Sequence, residues 1–307
     1  MAHERESWPE FLIVGAPRCG TTALYDYLKQ HPQVFMPETK EVHFFGSDLD
    51  FKMPNFKLDA NEYQALFSGA NPGVCRGEAS VWYLYSELAA KEIAGQCPGA
   101  RIIVMLRNPV DVMYSLHSQF VYEGNEDIRS FEEALEAEAD RRRGQRIPPS
   151  AYFARGLLYR RVVGFDLQLK RFLQVFDREQ IHVVMYDDFK KDTAASYREV
   201  ARFLDVRDDF VPFFRVVNPN KRVRSRFLQR LMLQQTTLAR RLSSLLRIPR
   251  RWRKFINSRI RELNTRFVRR EPMQPELRAR LLGEVREEIE SLGELLKRDL
   301  GPWLAGS

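Results

Sequence analysis

FLIVGAPRCGTTALYDYL, residues 11–28, decides the fold. Four apolar residues run into Gly15, the pattern of a short buried strand ending at a turn. From Thr21 the period changes. Leu24, Tyr27 and Leu28 recur at helical spacing, which predicts a helix over 21–30, stopped by His31 and Pro32. The stretch therefore reads as strand, glycine loop, helix. Its loop nearly spells the phosphate-binding pattern G-x-x-x-x-G-K-[ST]. Gly15 and Gly20 have that spacing and Thr22 takes the hydroxyl position, but Thr21 replaces the lysine and a cation, Arg18, comes earlier. Backbone N–H groups of Cys19, Gly20, Thr21 and Thr22, with the positive end of the helix dipole, would converge on one anion.

Outward from that loop, strands and helices alternate. Apolar runs predict further strands at 33–36, 74–79, 101–106 and 181–186. Helical periodicity predicts helices at 61–68, 86–96, 109–122, 131–143, 151–176 and 193–204. No strand is expected after about residue 207, where helices at 226–246 and 275–297 flank a basic hinge at Pro249, Arg250 and Arg251. The expected fold is α/β: a P-loop-like three-layer arrangement, with a central parallel sheet flanked by helices and a helical C-terminal extension. One domain is expected over 1–307, with an α/β core at 1–207 and a basic loop and helical part at 208–307.

The 307 residues are 44% hydrophobic, enough for one sizeable core. No apolar run approaches the roughly 18 residues of a membrane span, so the expectation is a soluble, cytoplasmic protein. Cys19, Cys75 and Cys97 fit no metal-ligand spacing and no disulfide framework. The net charge is +8, and residues 210–261 hold fifteen Lys or Arg without one Asp or Glu. Such a segment implies an anionic partner. No nucleic-acid motif accompanies it, so nucleic acid is not expected. The run FLQRLMLQQTTLARRLSSLLRI has an amphipathic pattern, leaving weak membrane-surface contact through 221–261 as an alternative.

The displaced cation narrows the chemistry. Nucleoside triphosphatases use the loop lysine on the terminal phosphates and an Asp at a second strand end to hold Mg²⁺. Here the strand at 101–106 ends in a cation, Arg107. Asp187 after the last strand is a weak Walker-B candidate, and an ordinary helix-start carboxylate explains it better. A P-loop kinase or NTPase therefore stays as an alternative, as does a non-catalytic anion- or membrane-binding protein. Arg107 and Ser115, either side of a helix start at Pro109, could form a second anion site at the carboxyl end of the sheet. The plainer reading pairs Arg107 with a nearby carboxylate and makes Ser115 a packing residue.

Four blocks in order, APRCGTTALYDYLKQHP (16–32), KEVHFFG (40–46), GEASVWYLY (77–85) and RIIVMLRNPVDVMYSLHSQF (101–120), resemble the sulfotransferases that use 3′-phosphoadenylyl sulfate (PAPS), in their bacterial and heparan-sulfate-type branch. Weaker echoes are IHVVMYDDF, ARFLDV and RDLGPW. The resemblance implies a metal-free transfer of a sulfuryl group from PAPS to a hydroxyl or amine of a glycan, lipid or small metabolite, leaving adenosine 3′,5′-bisphosphate (PAP). It implies that residues 18–22 grip the 5′-phosphosulfate, that Arg107 and Ser115 hold the 3′-phosphate, and that Lys221 and Arg222, in NPNKRVRS, close over the nucleotide. Arg18 stands where many relatives have Lys. Glu41 matches the catalytic base of the heparan-type enzymes, and His43 is its rival as proton acceptor. Lys40 either touches the sulfate or is solvated. Those relatives carry a Lys after the Glu of the third block, where this chain has Ala79, which argues against a highly anionic polysaccharide acceptor.

Overall fold

Strand β1 (Phe11–Gly15) is buried along its whole length. That burial requires a parallel partner on each side, which the chain supplies. The computed structural model describes residues 8–52, 58–215, 221–223, 265–267 and 271–305. A five-stranded sheet has the order β2 (Val34–Phe35), β3 (Cys75–Ala79), β1, β4 (Arg101–Leu106), β5 (Ile181–Met185). Every pairing in it is parallel. The strand order reverses at β1, so the carboxyl ends of β1 and β4 open at the position where sheets of this kind take ligands. Helices connect the strands: α1 (Thr21–Leu28), α2 (Ala60–Ala65), α3 (Ala89–Gln96) and α4 (Pro109–Glu123). Phe11 faces Gly77 across the β1–β3 register, and a Cβ on Gly77 would lie 2.0 Å from the Phe11 ring.

The chain forms two compact units. The first comprises residues 1–116, 159–217 and 274–307 and contains the five-stranded sheet. Residues 274–307, grouped from the sequence with the basic stretch, belong to it. The second comprises 117–158 and 218–273. It holds α5 (Phe131–Glu136), α6 (Glu138–Arg142) and a buried ion pair between Arg141 and Glu126 at 2.8 Å. No helix among the described residues is long and apolar enough to cross a membrane.

Four expectations change. The single helix expected over 151–176 is a 3₁₀ turn (Ala154–Leu157), α7 (Tyr159–Val162) and α8 (Phe165–Leu173). The chain passes from the second unit to the first after residue 158, and Gly156 sits where a Cβ would be 3.0 Å from the Phe120 ring, so tertiary packing overrides the helical period. The helix expected over 131–143 divides into α5 and α6 at Ala137. Beyond α9 (Tyr186–Lys191) and α10 (Thr193–Phe203), the region expected to lack strands contains an antiparallel ribbon of β6 (Lys221–Val223) and β7 (Thr265–Phe267). Its strands are 42 residues apart in the chain, so no local pattern marks the pairing. The C-terminal helix breaks at Val285 into α11 (Pro275–Glu284) and α12 (Arg286–Leu296), followed by α13 (Gly301–Leu304). The helix expected over 226–246, its amphipathic run and the hinge at 249–251 lie outside the described residues.

Candidate functional site

The glycine loop turns between β1 and α1 as its residue types require. Gly20 is the N-cap of α1 at φ 94°, a conformation glycine adopts without strain, and no side chain caps the helix. Gly15 lies so close to the following loop that a Cβ would be 2.8 Å from the Val81 carbonyl oxygen. Arg18 takes φ 66°, uncommon for a residue with a Cβ, and its Nε donates to Ser115 Oγ at 2.8 Å. Ser115 is buried on α4. The loop cation and the helix hydroxyl, read from sequence as parts of two anion sites, thus meet directly.

Arg107 extends from the end of β4 with its guanidinium 4.7 Å above the Tyr186 ring. Its Nη2 lies 3.5 Å from Asp111, which also accepts from Arg278 at 2.8 Å. Its Nε is buried and has no hydrogen-bond partner among the described residues. The carboxylate pairing expected as the plainer reading is present, yet one donor stays unused, as an anion-binding arginine would require. Asp187 lies in the first turn of α9 and accepts from Trp303 Nε1 at 2.7 Å, which makes it a helix-start carboxylate. The Cys19 thiol is pushed up to about 12 by burial, against the pull of Arg107 and Arg18, so Cys19 offers only its backbone.

Opposite the loop, residues 40–43 form a linked cluster. Lys40 Nζ donates to Thr22 Oγ1 at 3.4 Å and to Glu41 Oε1 at 3.0 Å, and Glu41 Oε2 lies 3.2 Å from His43 Nε2. Burial alone would raise the Glu41 carboxyl, but the Lys40 charge and the His43 contact prevail and hold it at about 2. Glu41 is therefore ionised at any physiological pH. Its side chain is 33% exposed and that of His43 only 4%, so Glu41 is the member an acceptor can reach. His43 stacks on Phe51 at 4.8 Å, and its backbone N–H donates to Ser80 Oγ at 2.9 Å. It is both a packed histidine and a partner of the carboxylate.

Glu78, noted in the sequence only for the residue beside it, is a buried acid on β3. Neither carboxyl oxygen reaches hydrogen-bond geometry with a described residue. Burial pushes it up to about 7, although the Ser80 and Tyr83 hydroxyls and the Lys40 charge oppose the shift. No spacing rule identifies such a residue, because its character comes from its surroundings. Lys221 and Arg222 lie in β6, and their side chains are outside the described residues.

A family model described as a sulfotransferase domain matches residues 9–236. The human bifunctional heparan sulfate N-deacetylase/N-sulfotransferase 3 is 31% identical over an alignment of 213 positions that covers 64% of this chain and 22% of that protein. Human carbohydrate sulfotransferase 15 is 25% identical over 249 residues, covering 64% of this chain and 44% of that protein. The match thus spans less than half the length of either relative. A crystal structure of a sulfotransferase from Alicyclobacillus acidocaldarius superposes with a TM-score of 0.72 at 29% identity, covering 96% of this chain and 98% of that one.

Proposed function

The chain belongs to the sulfotransferase family, and from that premise we propose that it moves a sulfuryl group from PAPS to a hydroxyl or amine of its acceptor. One observation carries the reading. Lys40 contacts both Thr22, in the uncapped first turn of α1 that follows Arg18 and its Ser115 partner, and the reachable carboxylate of Glu41. A donor with two phosphate ends fits these residues. The loop from Arg18 to Thr22 would hold the 5′-phosphosulfate, while Ser115 and the unpartnered Nε of Arg107 would serve the 3′-phosphate. The nucleotide-kinase alternative draws no support from Asp187, which is engaged by Trp303.

The donor supplies an electrophilic sulfur and a phosphate leaving group. Glu41 takes the acceptor's proton as the new bond to sulfur forms. The bond from sulfur to the phosphate oxygen breaks, and its electron pair stays on that oxygen. Arg18 and the loop N–H groups neutralise the charge growing there, and one such fixed donor is typically worth about 3–4 kcal/mol. His43 steadies and orients the Glu41 carboxylate through its Nε2 contact. We place the reaction in the cytoplasm, a setting that suits the three unpaired thiols. Thermal unfolding with PAP, ATP and NADPH tests the donor. PAP is expected to raise Tm at concentrations where ATP and NADPH do not, by the usual linkage of binding to stability. A protein stabilised by ATP with Mg²⁺ and indifferent to PAP would overturn the reading.

A further inference from the structure

We propose that Arg278 of α11 is a positioning residue for the 3′-phosphate site, where it holds Asp111 so that Arg107 stays free for its anion. The role presupposes the donor assigned above. Asp111 lies in the first turn of α4, four residues after Arg107, and its two oxygens are divided between two arginines. Oδ1 accepts from Arg278 Nη1 at 2.8 Å, while Oδ2 is 3.5 Å from Arg107 Nη2. The first distance is that of a full charge-assisted hydrogen bond, and the second is at the outer limit of one. Nε and Nη2 share the edge of a guanidinium that a carboxylate or a phosphate grips with two oxygens. On that edge of Arg107, Nη2 has only the long contact to Asp111, and Nε has no partner among the described residues. A carboxylate one helical turn away would close on both donors if nothing else held it. Arg278 holds it.

Arg278 is presented by a fixed element. Leu281 and Leu282 of α11 are buried. The chain that follows is braced against the strand ends beside Arg107. Asn108 Nδ2, at the end of β4, donates to the Trp303 carbonyl at 3.0 Å, and Trp303 Nε1 donates to Asp187 at 2.7 Å. Arg298 grips Asp188 with two hydrogen bonds, at 2.6 and 2.9 Å. Asp187 and Asp188 directly follow Tyr186, whose ring lies under Arg107. The C-terminal segment thus fixes the surroundings of Arg107 through β4 and α9, and Arg278 sets the one carboxylate that competes with an anion for it.

The test compares PAP with adenosine 5′-monophosphate (AMP), which differ by the 3′-phosphate alone. Binding of both to the full chain is measured by calorimetry for wild type, Arg278→Gln, Arg278→Lys, Asp111→Asn and the double variant Arg278→Gln/Asp111→Asn. Arg278→Gln releases Asp111 onto Arg107 and is expected to lose about tenfold in PAP affinity, with AMP within about twofold of wild type. Arg278→Lys keeps the charge and is expected to bind PAP within about threefold of wild type. Asp111→Asn is expected to change little by itself and to recover most of the loss beside Arg278→Gln, the coupling that a shared carboxylate produces. Retained AMP binding reports that each variant is folded. Unchanged PAP affinity in Arg278→Gln, equal losses for PAP and AMP, or the same effect of Asp111→Asn in both backgrounds would overturn the role of Arg278 while leaving the donor assignment standing. A wild-type protein that does not prefer PAP to AMP overturns both.

Discussion

Arg18 and His43 are two of the five described non-glycine residues with positive φ, at 66° and 49°. Left-handed backbone at such residues disfavours folding by about 1–3 kcal/mol, and it gathers where geometry serves a site. Both residues are tied to the proposed chemistry, Arg18 through Ser115 and His43 through Glu41. The two ends of that chemistry are separable by mutation. Arg18→Ala is expected to reduce PAP release from PAPS by about 10²–10³-fold and to weaken PAP binding, with stability within about 1 kcal/mol of wild type. Glu41→Gln is expected to abolish turnover and leave PAP binding intact. Steady-state kinetics beside calorimetry checks both, and a His43→Ala variant that is dead while Glu41→Gln is active would move the base to His43.

Elements present these residues, and their fit is measurable. β3 lies against β1 only because Gly77 has no side chain where the Phe11 ring rests. Gly77→Ala is expected to destabilise the protein by about 1–3 kcal/mol, the usual range for overpacking. Gly95 lies in α3 with nothing within 4 Å of an added Cβ. Gly95→Ala is expected to be neutral or to stabilise by up to about 1 kcal/mol, through helix propensity. Denaturant melts of the pair distinguish packing from backbone entropy, and equal effects at both positions would contradict this account. The strands and the glycine loop were legible because each is written in a local pattern. The break of the expected 151–176 helix was not, because the packing of distant Phe120 on Gly156 and the passage between units impose it.

At the scale of the molecule, Glu78 makes stability depend on pH. Groups that bear on it come from several elements: Tyr25 of α1, Lys40 and Glu41, Tyr63 of α2, Ser80 and Tyr83 beyond β3, and Cys97 after α3. Its carboxyl titrates at about 7 when folded, against an ordinary 4.5. Between those values the folded chain holds a proton that the unfolded chain releases. Stability from this group is therefore lost as pH rises from about 4.5 to about 7, and the penalty is complete above that. Glu78→Gln is expected to exceed wild type by about 3 kcal/mol at pH 8 and by little at pH 4.5. Denaturant titrations at the two pH values check this, and a difference independent of pH would refute it.

The sequence by itself determined the strand–loop–helix opening, the parallel sheet, the family, and which loop and strand-end residues deserved attention. All of these rest on neighbours in the chain, whose spacing reports periodicity and turn chemistry directly. Only the tertiary structure decided that Arg18 reaches Ser115, 97 residues away, that Lys40 joins Thr22 to Glu41, and that Glu78 is a buried acid. Those properties depend on distance and on exclusion from water. Residues far apart in the chain acquire both only when the sheet assembles and brings its strand ends to one edge.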